Sequence, residues 1–174
     1  MNDNNFAGNA KSAIDFLGNE WKYDCMGCAI SKGEIKIPGG IIYEGKYTIL
    51  GADPEIPIPG FLIVNVKKHV NSFSQLDKEE RNEIGDVIAY AQKALKELNI
   101  VKEVTLVQEE RSKHLHIWIF PNYNWMTEKF GKGVTYLRDI SEYAQKNANK
   151  DDIKMVLDVI EKVKKYFEEH NINE

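Results

Sequence analysis

The chain has no long hydrophobic run: nothing in its 174 residues approaches the roughly 20 consecutive apolar residues that span a bilayer. It also has no basic excess. With 23 Lys and Arg against 27 Asp and Glu, the formal charge is -4, which argues against a broad electrostatic grip on nucleic acid. That balance still leaves room for a small basic patch that holds one phosphorylated small molecule. Met1 to Asn9 lack the basic and apolar segments of a signal peptide, so the expected compartment is the cytoplasm. Cysteine is scarce, with two residues, too few for a disulfide framework. No internal repeat occurs, and no low-complexity tract beyond the Asn-rich start.

What is present suits one globular domain, since 43% of the residues are apolar. Ala10 to Leu17 reads as a short helix carrying Ile14, Phe16 and Leu17. Ile41 to Leu50 reads as two strands around a Glu44-Gly45-Lys46 turn. Asp53 to Gly60 must be a loop, because Pro54, Pro57 and Pro59 cannot join a sheet interior. Phe61 to Val66 follows as a strand. Asp77 with Glu80 forms a capping pattern for a long helix, in which Ile84, Val87, Ile88, Ala91, Leu95 and Leu98 recur on one face. Val101 to Gln108 and His114 to Phe120 read as the last two strands, joined by the charged turn Glu109 to Lys113. Residues 122–133 read as an aromatic- and Gly-containing loop, and two helices follow. The stripe Ile153, Val156, Ile160, Val163 and Phe167 needs a surface to pack on, either ordinary core or a dimer contact.

The chemistry concentrates on the run His114-Leu115-His116-Ile117-Trp118. Alternation along a strand places His114, His116, Trp118 and Phe120 on one face and aliphatic Leu115, Ile117 and Ile119 on the other. The aliphatic face belongs under the long helix, and the mixed face suits a cleft. Cys25-Met26-Gly27-Cys28 has the short spacing that brings both thiolates to one ion. Structural zinc takes four Cys or His ligands, and the chain has four histidines. His170 lies among the glutamates of the terminal helix, whereas His69 closes the Phe61–Val66 strand. A site of Cys25, Cys28, His69 and His114 then leaves His116 as the free imidazole. The alternatives for the cysteine pair are a redox dithiol or two idle thiols.

From Cys25 to Pro121 these residues resemble the histidine-triad superfamily of nucleotide hydrolases and transferases. Cys25-x-x-Cys28-Ala-Ile-x-x-Gly33-Glu34-Ile35 is similar to its opening motif, and Tyr43-Glu44 with Leu50-Gly51-Ala52-Asp53 to its second segment. Pro59-Gly60-Phe61-Leu62-Ile63-Val64 before Lys67-Lys68-His69 resembles the third. His114-Leu-His116-Ile-Trp118 followed by Ile119, Phe120 and Pro121 resembles the namesake His-x-His-x-His motif. The resemblance implies an α+β fold, with a five-stranded antiparallel sheet crossed by one long helix and usually paired as a homodimer. It implies a nucleotide-binding and catalytic domain over residues 20–121. Residues 122–174 then form a loop and helical extension packed on that domain, not an independent unit. It further implies that His116 attacks the α-phosphorus of a nucleotide and forms a nucleotidyl-histidine. Asp53 would hold the ribose, and Met26, Ile30 and Ile63 would line the base pocket. The same four residues, Cys25, Cys28, His69 and His114, would bind structural zinc.

Two departures stand out. The third triad position is Trp118, whose indole can donate one hydrogen bond but cannot relay a proton. The Gly-rich phosphate loop is replaced by Gln108-Glu109-Glu110-Arg111-Ser112-Lys113, with no glycine. Gln108, Arg111 and Ser112 are its candidate phosphate contacts, with Arg111 at the family's Ser/Thr position. Glu109 and Glu110 oppose an anion there. The expected activity is a nucleotide hydrolase or nucleotidyl transferase acting on a nucleoside polyphosphate or phosphoramidate, with Trp118 donating or stacking. The alternatives are a zinc-stabilised nucleotide-binding module without turnover and a redox sensor built on the cysteines. No membrane partner and no extended nucleic acid are expected.

Overall fold

The structure, a computed structural model, describes residues 11–170 and Ile172. Strands β1 (Lys11–Ile14) and β2 (Glu20–Tyr23) form an antiparallel hairpin. Helix α1 (Met26–Ser31), β3 (Tyr43–Glu44), β4 (Thr48–Ala52) and β5 (Leu62–Val66) follow. A 3₁₀ turn at Phe73–Gln75 leads into the long α2 (Lys78–Glu97), then β6 (Val104–Val107), β7 (His116–Pro121) and α3 (Asn124–Phe130). A second 3₁₀ turn, Val134–Tyr136, precedes α4 (Leu137–Asn147) and α5 (Lys150–Glu169). The five-stranded sheet has the order β3-β4-β5-β7-β6 with every neighbour antiparallel.

Period-two alternation divides the sheet into two faces. Leu50, Ala52, Leu62, Val64, Val66, Leu115, Ile117 and Ile119 point to one side, where Ile84, Val87, Ala91 and Leu95 of α2 cover them. The α2 N-terminus closes as a capping box: Asp77 accepts from the Glu80 amide while Glu80 accepts from the Asp77 amide. The same core takes in Val156, Val159, Ile160, Val163, Tyr166 and Phe167 of α5. On the opposite face, Phe61 and Phe120 pack with Met126 of α3 and with Leu137, Ile140 and Ala144 of α4.

Three stretches depart from the expectations. Lys11–Ile14 is a strand, not the helix expected over Ala10 to Leu17 (Ala10 lies outside the described residues). Its reason is the turn after it: Asp15 Oδ1 accepts from the Leu17 and Asn19 amides, and Gly18 supplies φ +87°. Residues 124–130, expected as loop, form α3, which buries Met126. The strands begin or end within a few residues of the expected limits. The one at His114 opens at His116, where the ladder to β5 begins, while the Leu115 backbone bonds to Val66 and Val70.

Candidate functional site

Register places the site. Asn65 of β5 lies directly opposite His116 of β7, and Ile63 opposite Trp118. Buried Asn65 donates from Nδ2 to the Gly27 carbonyl at 3.1 Å and to Ser31 Oγ at 3.0 Å. Short α1 is thereby pinned across the sheet beside the histidines, and its flanking Cys25 and its own Cys28 are brought to them. Gly27 faces the His114 ring so closely that a Cβ there would lie 2.3 Å from Cδ2.

Cys25, Cys28, His69 and His114 converge, with one ligand atom from each lying within 4.8 Å of all the others. The Sγ atoms of Cys25 and Cys28 lie 3.5 and 3.1 Å from His69 Nδ1, and 3.3 and 3.6 Å from His114 Nδ1. The two Nδ1 atoms are 3.4 Å apart. Zinc–sulfur bonds of about 2.3 Å and zinc–nitrogen bonds of about 2.0–2.1 Å require tetrahedral edges of about 3.6 Å for S···N and about 3.3 Å for N···N. The donor set therefore fits a tetrahedral zinc ion with no vacant position. Burial lowers the His114 pKa, assisted by neighbouring His69 and His116, which favours the neutral ring a ligand must have. Its Nε2–H donates to the Val66 carbonyl at 2.6 Å, leaving the Nδ1 lone pair toward the thiols.

His116 is oriented by the same segment. Its Nδ1–H donates to the His114 carbonyl at 2.9 Å, and Ser112 Oγ donates to that carbonyl at 3.0 Å. This tautomer, assigned from the hydrogen bonds, leaves the Nε2 lone pair free. His116 and Ser112 stand at the junction of two cavities. One, about 450 Å³, runs past Met26, Ile30, Ile63, Asp53 and Arg111 toward Tyr23 and Lys11 of the hairpin. The other, about 550 Å³, contains Gln108 and Trp118 and extends to α4. Gln108 is thus separated from the other residues expected around a nucleotide. Trp118 packs edge-on against Phe61, with centroids 5.2 Å apart.

Asp53 is half-buried. Desolvation pushes its carboxyl up to about 7, although its Oδ1 accepts from the Glu55 and Ile56 amides at 2.9 Å. The acidic pair of the 108–113 turn is engaged. Glu110 accepts from Ser72 Oγ at 2.6 Å, and Glu109 accepts from Arg111 Nε at 2.9 Å and from Arg138 at 3.0 Å. Hydrogen bonding to Arg111 holds the Glu109 carboxyl below its ordinary range. His170 lies away from these residues, stacked on Tyr166 with centroids 4.2 Å apart.

No family profile and no curated protein sequence matches the chain. Solved structures do. A hypothetical histidine triad nucleotide-binding protein of Sulfolobus tokodaii superposes with a TM-score of 0.58 at 18% identity, covering 81% of this chain and 92% of that one. A Hit-like protein of Bartonella henselae, described as involved in cell-cycle regulation, gives 0.55 at 18% identity, over 80% and 93%. A zinc-bound histidine triad family protein of Mycobacterium smegmatis gives 0.53 at 15% identity, over 81% and 96%. The chain has the histidine-triad fold. Within that histidine-triad frame, the sequence reading overlooked Asn65, Gly27, the hairpin residues Lys11 and Tyr23, and Arg138. Asn65 carries a legible signal as a lone polar residue in an apolar strand. The others reach the site through packing between distant segments.

Proposed function

We propose that the protein is a nucleotide hydrolase or nucleotidyl transferase whose nucleophile is His116 Nε2. The observation that carries this reading is the placement of His116. Its Nδ1–H is tied to the His114 carbonyl, and the residue lines both cavities where they meet. A neutral imidazole can attack phosphorus without a separate base. The bond to the leaving group breaks with its electron pair, and the nucleotidyl group passes to His116. Water then displaces His116 from phosphorus. Over both steps one water is consumed, its hydroxyl ending on phosphorus and its hydrogen on the departing group. The fold it shares with a protein described as histidine triad nucleotide-binding supports the substrate class.

In this reading Met26, Ile30 and Ile63 enclose the base and Asp53 meets the ribose. Ser112 and Arg111 lie beside the phosphate, and Gln108 and Trp118 stand on the leaving-group side. Cys25, Cys28, His69 and His114 hold zinc, which supplies a structural cross-link between α1 and the histidine strand. A second reading, a zinc-stabilised nucleotide-binding module without turnover, draws on the ion pairing of Arg111 to Glu109 and on the indole at position 118.

His116→Ala separates the two readings. The variant is expected to fold, keep its metal and bind nucleotide, but to lose the covalent nucleotidyl-enzyme and turnover. Intact-mass analysis during incubation with nucleoside polyphosphates and phosphoramidates reads the adduct directly. Equal hydrolysis by wild type and His116→Ala overturns the mechanism. Binding without an adduct or turnover in wild type establishes the module.

A further inference from the structure

The turn from Gln108 to Lys113 has no glycine, so its backbone is not free to take the left-handed conformations that wrap amides round an anion. A clasp from another segment fixes its shape instead. Asn71 Nδ2 donates to the Glu110 carbonyl at 3.0 Å, and Ser72 Oγ donates to the Glu110 carboxylate at 2.6 Å. Gln108 Nε2 donates back to the Asn71 carbonyl at 3.3 Å. The clasp is itself braced. Gln75 Oε1 accepts from the Asn71 and Ser72 amides at 3.0 and 3.1 Å, and the Val70 carbonyl accepts from the Leu115 amide at 2.6 Å. Ser72 is buried, and its bond to a carboxylate is of the stronger, charge-assisted kind.

On the other side of Glu110 the order runs to the nucleophile. The Ser112 amide donates to the Glu109 carbonyl at 3.1 Å. Ser112 Oγ donates to the His114 carbonyl at 3.0 Å, the same acceptor that His116 Nδ1–H uses. Ser112 and His116 line both cavities, Arg111 lines one, and Glu110 lines neither. A carboxylate that the sequence sets against an anion is thus drawn aside, and it stands between two fixed points, the 71–75 turn and the His114 carbonyl.

We infer that Glu110 is a positioning residue: held by Asn71 and Ser72, it sets Arg111 and Ser112 against the phosphate of the nucleotide. The inference rests on the proposed placement of that phosphate beside Arg111 and Ser112. It makes the acceptor of Glu110, and not its charge, the property that matters. The two roles have opposite signs. A carboxylate that only repelled phosphate would weaken binding, and its removal would tighten it. A carboxylate that orders the turn loosens phosphate when it is removed.

The test measures calorimetric affinities of the full chain for AMP and adenosine, with UMP and uridine in parallel. The ratio of nucleotide to nucleoside affinity isolates the phosphate, because base and sugar contacts cancel. Glu110→Ala is expected to lower that ratio about fivefold, the worth of one net hydrogen bond. Glu110→Gln, whose amide oxygen still accepts from Ser72, should keep the ratio near that of wild type. Ser72→Ala should lower it as Glu110→Ala does, and the double variant no further than either alone. Nucleoside affinity and metal content are expected to hold throughout, which a general loss of fold would not allow. A ratio that rises or stays constant in Glu110→Ala, or that falls equally in Glu110→Gln, overturns the inference. If wild type binds nucleotide and nucleoside equally, no phosphate is held and the inference falls. The expected pattern in a protein that forms no adduct with ATP or adenosine 5′-phosphoramidate leaves the clasp standing and removes the attack by His116 instead.

Discussion

Asp53 shows how a loop carboxyl can be tuned by its surroundings. Two backbone amides stabilise its charged form, yet burial outweighs them and lifts the carboxyl from 3.8 to about 7. A carboxyl whose folded value lies above its unfolded value favours folding while protonated. That contribution is complete below about pH 4 and disappears as the pH climbs to about 7. Asp53→Asn keeps the acceptor for the Glu55 and Ile56 amides and removes the charge. The variant is therefore expected to lose less Tm than wild type between about pH 5 and pH 8, measured by thermal denaturation across that range. Parallel Tm curves would show that burial does not penalise the Asp53 carboxylate.

At the scale of elements, α1 is the piece that brings the two thiols of the Cys/His cluster to the histidines. Its six residues, Met26–Ser31, are too few to show a helical period, so the sequence marks only its N-terminal half, by Cys25 at the cap and Cys28 within. Gly27 is its contact with His114. A methyl group there meets the ring at 2.3 Å, and since Asn65 pins the Gly27 carbonyl the helix cannot retreat freely. Gly27→Ala is expected to cost about 1–3 kcal/mol, the usual penalty of overpacking, and to weaken metal binding by turning His114. Cys25→Ser with Cys28→Ser should go further and abolish tight zinc, with a matching loss of stability because a structural site couples to folding. Metal content by elemental analysis and Tm read both variants. Retention of about one equivalent of zinc by the double variant, judged against four-ligand binding, would remove the assignment.

Legibility in the sequence followed the range of the forces involved. The two faces of β5 and β7 and the Asp77 capping box were readable because strand alternation and caps are local. The hairpin was misread because Ile14, Phe16 and Leu17 resemble a helical face. Its true signal was the turn run Asp15-Phe16-Leu17-Gly18-Asn19, where the Asp15 carboxylate holds the Leu17 and Asn19 amides. The metal quartet could be reached because Cys and His are few. The wall that α4 gives the second cavity could not, since it depends on Leu137, Ile140 and Ala144 meeting Phe61 and Phe120 across a fold that no local pattern encodes.

For the whole molecule, the question is whether residues beyond Pro121 are an accessory or part of the fold. Val156, Val159, Ile160, Val163, Tyr166 and Phe167 of α5 share one core with α2 and the sheet. Tyr166 also donates to Glu97 of α2 at 2.6 Å, and Tyr123 donates to the Pro59 carbonyl at 2.7 Å. Burying a large apolar side chain contributes roughly 1.5–3 kcal/mol. Six of them reach on the order of 10 kcal/mol, which is the stability of an entire small domain. We propose that the extension does not form an independent unit and that the remainder does not stand without it. A fragment ending at Pro121 is expected to be insoluble or to lack a cooperative thermal transition, because the α2 face that α5 covers would be exposed. Circular dichroism melting and gel filtration of that fragment decide the matter. A monodisperse fragment that melts with the Tm of the full chain would show that α5 lies on a core already complete without it.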